Sequence, residues 1–155
     1  NEYLQFASSS FAEKTEKFNI STLIESIIKK YENEKITSEF SKEIYITGRK
    51  NLITRCISNL IDNATKYANK VEIQMTKTKD NIFINIDDDG PGISKNEYEN
   101  VFKPFYKINK SRGDSKSSVG LGLSIASDIV RSHGGNIALD KSPQNGLRVR
   151  VTLPF

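Results

Sequence analysis

The sequence predicts a single α/β domain, and three observations predict it. Residues 50–68 place Ile53, Ile57, Leu60, Ile61, Ala64 and Ala68 at helical spacing on one face. Residues 71–86 instead alternate. Val71, Ile73 and Met75, then Ile82, Ile84 and Ile86, flank the turn signal Lys79-Asp80-Asn81, which is the pattern of a hairpin. A chain of 155 residues with 36% apolar side chains and a mean hydropathy of −0.50 can bury one core and stay soluble.

The remaining elements follow in order. Tyr3, Leu4, Phe6, Ala7 and Phe11 fall near helical spacing and lead into polar Ala12-Glu13-Lys14. Residues 1–14 therefore read as the tail of a preceding helix or linker, and 15–155 as the domain. A short strand is expected around Phe18-Asn19-Ile20. Ser21 or Thr22 then caps a helix, with Glu25 in capping-box spacing after Thr22 and a stripe of Leu23, Ile24, Ile27, Ile28 and Tyr31. Glu43 to Thr47 alternates, with Ile44 and Ile46 on one face, and predicts a strand. A short helix is expected from Ser94, with Glu97 three positions on. Residues 105–119 lack periodicity and predict a mobile loop. A helix starts near Gly120 and stops at His133-Gly134-Gly135. Asn136 to Asp140 and the alternating Leu147 to Leu153 predict two last strands.

Composition removes several classes. No apolar run is long enough for a membrane helix, and the first residues lack the pattern of a secretion signal. The single cysteine, Cys56, cannot form an internal disulfide. Among Ile53, Ile57 and Leu60 it reads as a buried small hydrophobe, consistent with a reducing cytoplasm. The net charge of +4 is modest. The basic cluster Lys103, Lys107, Lys110, Arg112 and Lys116 precedes the Gly120 turn and has no base-stacking motif beside it. Nucleotide phosphates suit it better than nucleic acid.

Three patches carry chemistry. The first is Asn59-Leu60-Ile61-Asp62-Asn63-Ala64-Thr65-Lys66-Tyr67. On a helical wheel Asn63, Lys66 and Arg55 lie near Asn59, off the centre of the apolar face. An Asn amide oxygen can be one of the few protein ligands of a magnesium ion that otherwise holds phosphates and water. Asn63 is the first candidate, with Asn59 one turn earlier; two surface asparagines are the plain alternative. The second patch is Asp87-Asp88-Asp89-Gly90-Pro91-Gly92-Ile93. It suits a tight turn, but three adjacent carboxylates repel. A task for Asp88, such as accepting a hydrogen bond from an adenine amine, would account for them, with Gly90 and Gly92 admitting the backbone to the ring. The third, Gly120-Leu121-Gly122-Leu123, opens a helical pattern whose free amides favour phosphate. Neither a dinucleotide fingerprint nor a Gly-x-x-x-x-Gly-Lys-Ser/Thr loop is present.

In this order the patches resemble the catalytic ATP-binding domain of bacterial sensor histidine kinases. That domain is akin to those of gyrase-type ATPases, mismatch-repair ATPases and heat-shock chaperones. Asn59 to Tyr67 resembles the N box and Asp88-Asp89-Gly90-Pro91-Gly92 the first glycine box. Phe102-Lys103-Pro104-Phe105 resembles the F box, and Gly120-Leu121-Gly122-Leu123 the second glycine box. Arg55 and the run Arg112-Gly113-Asp114-Ser115 are most similar to the osmosensor type. The resemblance covers residues 18–155. It implies a two-layer α/β sandwich, with a mixed sheet of about five strands packed on three helices and ATP under a flexible lid.

It also implies roles. Asn63, with Asn59, would ligate Mg2+. Lys66 and Tyr67 would contact phosphate or ribose. Asp88 would take the adenine amine, with Gly90, Gly92 and Ile93 lining the base. Residues 105–119 would form the lid, with Lys110 or Arg112 at the γ-phosphate. Phe102 and Phe105 would be lid hinges or packing residues. Val119, Gly120, Leu121, Gly122 and Leu123 would flank the phosphates. Asn63, Lys66 and Arg112 would be the residues closest to the chemistry. Ser118 stands where the family often has another glycine.

A histidine kinase also needs an acceptor histidine. The only histidine, His133, sits at a helix end before two glycines and reads as structural. The expected activity is therefore donation of the γ-phosphoryl group to a histidine on a separate dimerisation domain of the same full-length protein, and through it to a response regulator. The resemblance implies a cytoplasmic domain of an inner-membrane sensor protein, itself not membrane-inserted, monomeric and without a nucleic-acid partner. The alternatives are a serine kinase of the anti-sigma type and a non-catalytic nucleotide-sensing module.

Overall fold

The computed structural model describes residues 13–31, 35–41, 43–104, 106 and 122–155. Residues 1–12 of the segment 1–14, read as a preceding helix or linker, and most of the 105–119 loop lie outside them. Strand β1 (Glu16–Asn19) pairs antiparallel with β3 (Tyr45–Gly48) in a two-stranded ribbon. Helix α1 (Ile20–Ile28) follows β1 without a loop. Strand β2 (Ile36–Glu39), helix α2 (Lys50–Tyr67), β4 (Val71–Lys77) and β5 (Asn81–Asp88) come next. Two 3₁₀ turns, Lys95–Glu97 and Asn100–Phe102, stand where one short helix was expected. Helix α3 (Gly122–Ser132), β6 (Asn136–Lys141) and β7 (Leu147–Pro154) complete the described chain.

The main sheet has five strands in the order β2-β4-β5-β7-β6. It is mixed: β2 runs parallel to β4, and every other neighbour is antiparallel. One face is the alternating apolar set read from the sequence. Ile73, Ile82, Ile84, Ile86 and Val151 are buried there, opposite Ile53, Ile57, Leu60 and Ile61 of α2 and Ile125, Ile129 and Val130 of α3. The predicted two-layer arrangement on three helices is the one observed among the described residues. Strand β2 carries only Ile36 as a large apolar residue, too little for a periodicity signal. Parallel pairing with β4 decides it.

Local chemistry corrects the predicted helix cap. Asn19, not Ser21 or Thr22, caps α1: its Oδ1 accepts the N–H of Ser21 at 2.9 Å and of Thr22 at 3.2 Å. Ser21 is buried and donates from its hydroxyl to the Ser41 carbonyl at 2.6 Å. The cap moved upstream because β1 runs straight into the helix. At α2, Arg49 makes no side-chain cap. The Glu13 carboxylate accepts the N–H of Asn51 at 2.6 Å and of Leu52 at 3.1 Å, satisfying two amides a helix start leaves open.

His133 has the structural role its position implied. Its Nε2 accepts the Arg49 N–H at 2.9 Å, and its Nδ1 donates to the Ile129 carbonyl at 2.8 Å. The ring thereby joins the end of α3 to the start of α2. Cys56 is fully buried, which pushes its thiol up to about 12, well outside the reactive range.

Removing the observed cap should separate it from the predicted one. Asn19→Ala is expected to cost about 1 kcal/mol in urea unfolding, and Thr22→Ala much less. Equal losses would return the cap to Thr22.

Candidate nucleotide site

The site is built where β5 ends. Three consecutive carboxylates there would repel, yet each has its own donors. Asp87, 1% exposed, takes two bonds from the Arg148 guanidinium, from Nε at 2.7 Å and Nη2 at 2.9 Å. Asp88 accepts the Gly90 N–H at 2.9 Å and the Leu147 N–H at 3.0 Å, both on Oδ1. Asp89 accepts the N–H of Asn69 at 2.8 Å and of Lys70 at 2.9 Å. Oδ2 of Asp88 is thus left for another donor. Burial raises the carboxyl pKa of Asp88 above its ordinary value, against the pull of the Leu147 and Gly90 amides. Asp89 shows the opposite: the Lys70 amide first, and the Asn69 amide with it, hold its pKa down.

Asp89 and Gly90 join this strand end to helix α2. A Cβ on Gly90 would lie 2.9 Å from the Tyr67 carbonyl oxygen, so only glycine permits the approach. Gly92 has a φ of +74°, the left-handed region that favours glycine. Tyr67 is 40% exposed beside this junction, with the Lys66 ammonium 5.5 Å from its ring centre.

Asn59 and Asn63 lie one turn apart on α2 and are half-buried. The Nδ2 of Asn59 is buried and has no hydrogen-bond partner among the described residues. A buried amide left unpaired costs about 1–3 kcal/mol, so its retention points to a ligand. Asp62, between them, is engaged by the Tyr31 hydroxyl, and burial first, with that bond adding to it, raises the tyrosine pKa. Helix α3 packs along α2, with the Cys56 sulfur 3.7 Å from the Ala126 carbonyl. Its first residue, Gly122, would bring a Cβ within 4 Å of no described atom, and its first turn holds no acidic residue. Leu123 and Ile93 are half-buried and pack on the core, as does Phe102.

The structure therefore brings Asp88, Gly90 and Tyr67 together and puts Asn59, Asn63 and Lys66 on the same helix as Tyr67. Phe105, Lys110, Arg112, Ser118, Val119, Gly120 and Leu121 lie outside the described residues. Sequence reasoning missed three positions. Asp89 ties the patches together. Leu147 lends Asp88 an amide. Gly146 packs so closely that a Cβ would fall 2.4 Å from Oδ1 of Asp88. Asn145-Gly146 is a turn signal between two predicted strands, but nothing in it names Asp88 as the neighbour. Among the described residues no three histidine, cysteine or acidic side chains converge as a metal cluster. The candidate ligands for a cation are the Asn63 and Asn59 amide oxygens. An orphan amide, a buried carboxylate with a spare oxygen and glycines at the closest approaches fit a magnesium nucleotide.

Residues 48–155 match the sequence family described as histidine kinase-, DNA gyrase B- and HSP90-like ATPase. The chain belongs to that family. Among curated relatives it is 36% identical over 109 residues to the sensor histidine kinase CpxA of Escherichia coli K12, covering 70% of this chain and 24% of that protein. It is 33% identical over 119 residues to the sensor histidine kinase WalK of Bacillus subtilis, covering 74% and 20%. The chain thus spans about a quarter or less of the relatives it matches. Among solved structures it is similar to the histidine kinase domain of the E. coli osmosensor EnvZ, at 26% identity and a TM-score of 0.68, over 90% of this chain and 88% of that one. It is also similar to the ATP-binding domain of PrrB from Mycobacterium tuberculosis, at 25% and 0.74, over 90% and 96%. Histidine kinase catalytic domains thus share its fold, osmosensor type included. Among the described residues no helix is long and apolar enough to cross a membrane.

The raised pKa of Asp88 gives a pH test. Folding favours its neutral form, so its contribution is complete below the unfolded value, near 3.8, and is lost as pH rises through the higher folded value. Asp88→Asn stays neutral throughout. From about pH 4 to about pH 7 the wild-type melting temperature should fall relative to that of the variant. A difference that stays constant, or moves the other way, would contradict the assigned direction.

Proposed function

We propose that this chain binds Mg-ATP and donates the γ-phosphoryl group to a histidine on a separate dimerisation domain, as the catalytic part of a two-component sensor kinase. The observation that carries the reading is the junction of Gly90 with Tyr67, which sets the Asp88 carboxylate beside the end of the helix that bears Asn59 and Asn63. Family membership and the sensor-kinase relatives support it.

In this reading Oδ2 of Asp88 accepts the 6-amino hydrogen of adenine, while Gly90 and Gly92 leave room for the ring. Asn63 offers its amide oxygen to Mg2+, with Asn59, whose Nδ2 has no partner among the described residues, beside it. Lys66 and Tyr67 reach phosphate or ribose from the last turn of α2. The open amides of α3, from Gly122 on, face phosphate oxygens. By family resemblance Lys110 or Arg112 adds positive charge at the γ-phosphate. Magnesium, when bound, offsets the charge that gathers on the transferring group. Phosphoryl transfer rests on such positioning and electrostatics, so the domain needs no nucleophile of its own. Both ring nitrogens of His133 are committed within the fold, so the acceptor imidazole comes from elsewhere. The proposal extends to a response regulator served by that acceptor, and to a cytoplasmic position in a membrane sensor.

Incubating the chain with a separate acceptor domain and γ-labelled ATP should place label on histidine. No label, once a thermal shift has confirmed ATP binding, would reduce the chain to a nucleotide sensor. Asn63→Ala should weaken magnesium-dependent ATP binding by about 100-fold or more, since even outer-shell partners of a metal contribute 10–100-fold. Unchanged affinity in a calorimetric titration would remove Asn63 as a ligand.

A further inference from the structure

The loop between β6 and β7 holds a second layer behind the base-reading carboxylate. Ser142 is 4% exposed, and its hydroxyl donates to the Asp88 backbone carbonyl at 2.6 Å. The same oxygen accepts the N–H of Gly146 at 2.9 Å and of Gln144 at 3.2 Å. The Ser142 N–H in turn donates to the Gly146 carbonyl at 3.0 Å, closing the loop on itself. Gly146 lies against Asp88 with no space for a side chain, and Leu147 supplies the amide that takes Oδ1. Ser142 therefore touches both sides of the contact: the backbone of Asp88, and the loop that leads directly into the Leu147 amide at the start of β7.

We infer that Ser142 is a positioning residue for base recognition: by joining the Asp88 backbone to the Ser142–Gly146 loop that leads into Leu147, it directs Oδ2 at the exocyclic amine of the purine. The inference rests on the proposed reading in which Asp88 binds that amine. Its physical basis is that one oxygen is engaged by a backbone amide whose position the loop sets. Remove the hydroxyl and the Asp88 carbonyl and the Gly146 amide both lose a buried partner. The loop relaxes, the Leu147 amide shifts, and the carboxylate is no longer constrained to one rotamer. Discrimination by hydrogen bonding depends on such constraint, because a misplaced acceptor neither rewards the correct base nor penalises the wrong one.

The test compares ATP with purine riboside triphosphate, which lacks the 6-amino group, by calorimetric titration of the whole chain with magnesium. Wild type should prefer ATP by about tenfold or more, the scale of one charge-assisted hydrogen bond. Ser142→Ala should weaken ATP binding by about the same factor and leave binding of the analogue unchanged within about twofold, so that the preference disappears. Ser142→Cys, of similar volume but with a weaker donor, should fall between them and serves if the alanine variant does not fold. Equal loss for both nucleotides would make Ser142 merely structural and overturn the inference. So would a preference kept intact in both variants. Wild type that binds the two nucleotides equally would instead refute the reading of Asp88, and the inference with it.

Discussion

Three neighbouring carboxylates at one strand end can coexist only if the fold supplies each with positive or dipolar partners. Asp87, Asp88 and Asp89 meet that condition by recruiting two distant parts of the chain. Arg148 and the Leu147 amide come from the start of β7, and the Asn69 and Lys70 amides from the turn after α2. What repels locally becomes the point where distant segments are tied. Successive side chains of a strand point to opposite faces, so Asp87 and Asp88 are served from opposite sides of the sheet. Asp87 belongs to the open polar face, where its registered neighbour is Arg148. Asp88 belongs to the face that carries the helices.

Helix α2 translates that tie into a site. Its apolar stripe, with Ile53, Ile57, Leu60 and Ile61 buried, fixes its rotation on the sheet. Fixing the stripe also fixes the Asn59 and Asn63 side, because both are set by the same 3.6-residue period. The two ends of the helix are then held independently. Glu13 and the His133 contact to Arg49 secure its start, and Gly90 meets the carbonyl of Tyr67 at its end. An element held at both ends and along one face can keep a buried amide unpaired. Among the described residues nothing offsets the cost of that amide, and a ligand can.

Much of this was legible in the sequence because it is local. The hairpin of β4 and β5 follows from strict alternation, and α2 from a sustained helical stripe. The roles of Asn63 and Asp88 were drawn from motif chemistry and family resemblance. Where reading failed, the deciding contact was remote. The cap of α1 is Asn19 because β1 leads directly into the helix and pairs with β3. Strand β2 has almost no pattern of its own and exists through its parallel register with β4.

By itself the sequence determined most of the helical and extended segments, which faces are apolar, and which short patches hold groups suited to a nucleotide. These depend on spacing within a few residues of the chain. Only the tertiary structure decided that Asp89 bridges the two patches, that Gly146 and Leu147 orient Asp88, and that Ser142 stands behind them. Those contacts join residues from 19 to 59 positions apart, and no local period encodes which amide will meet which carboxylate.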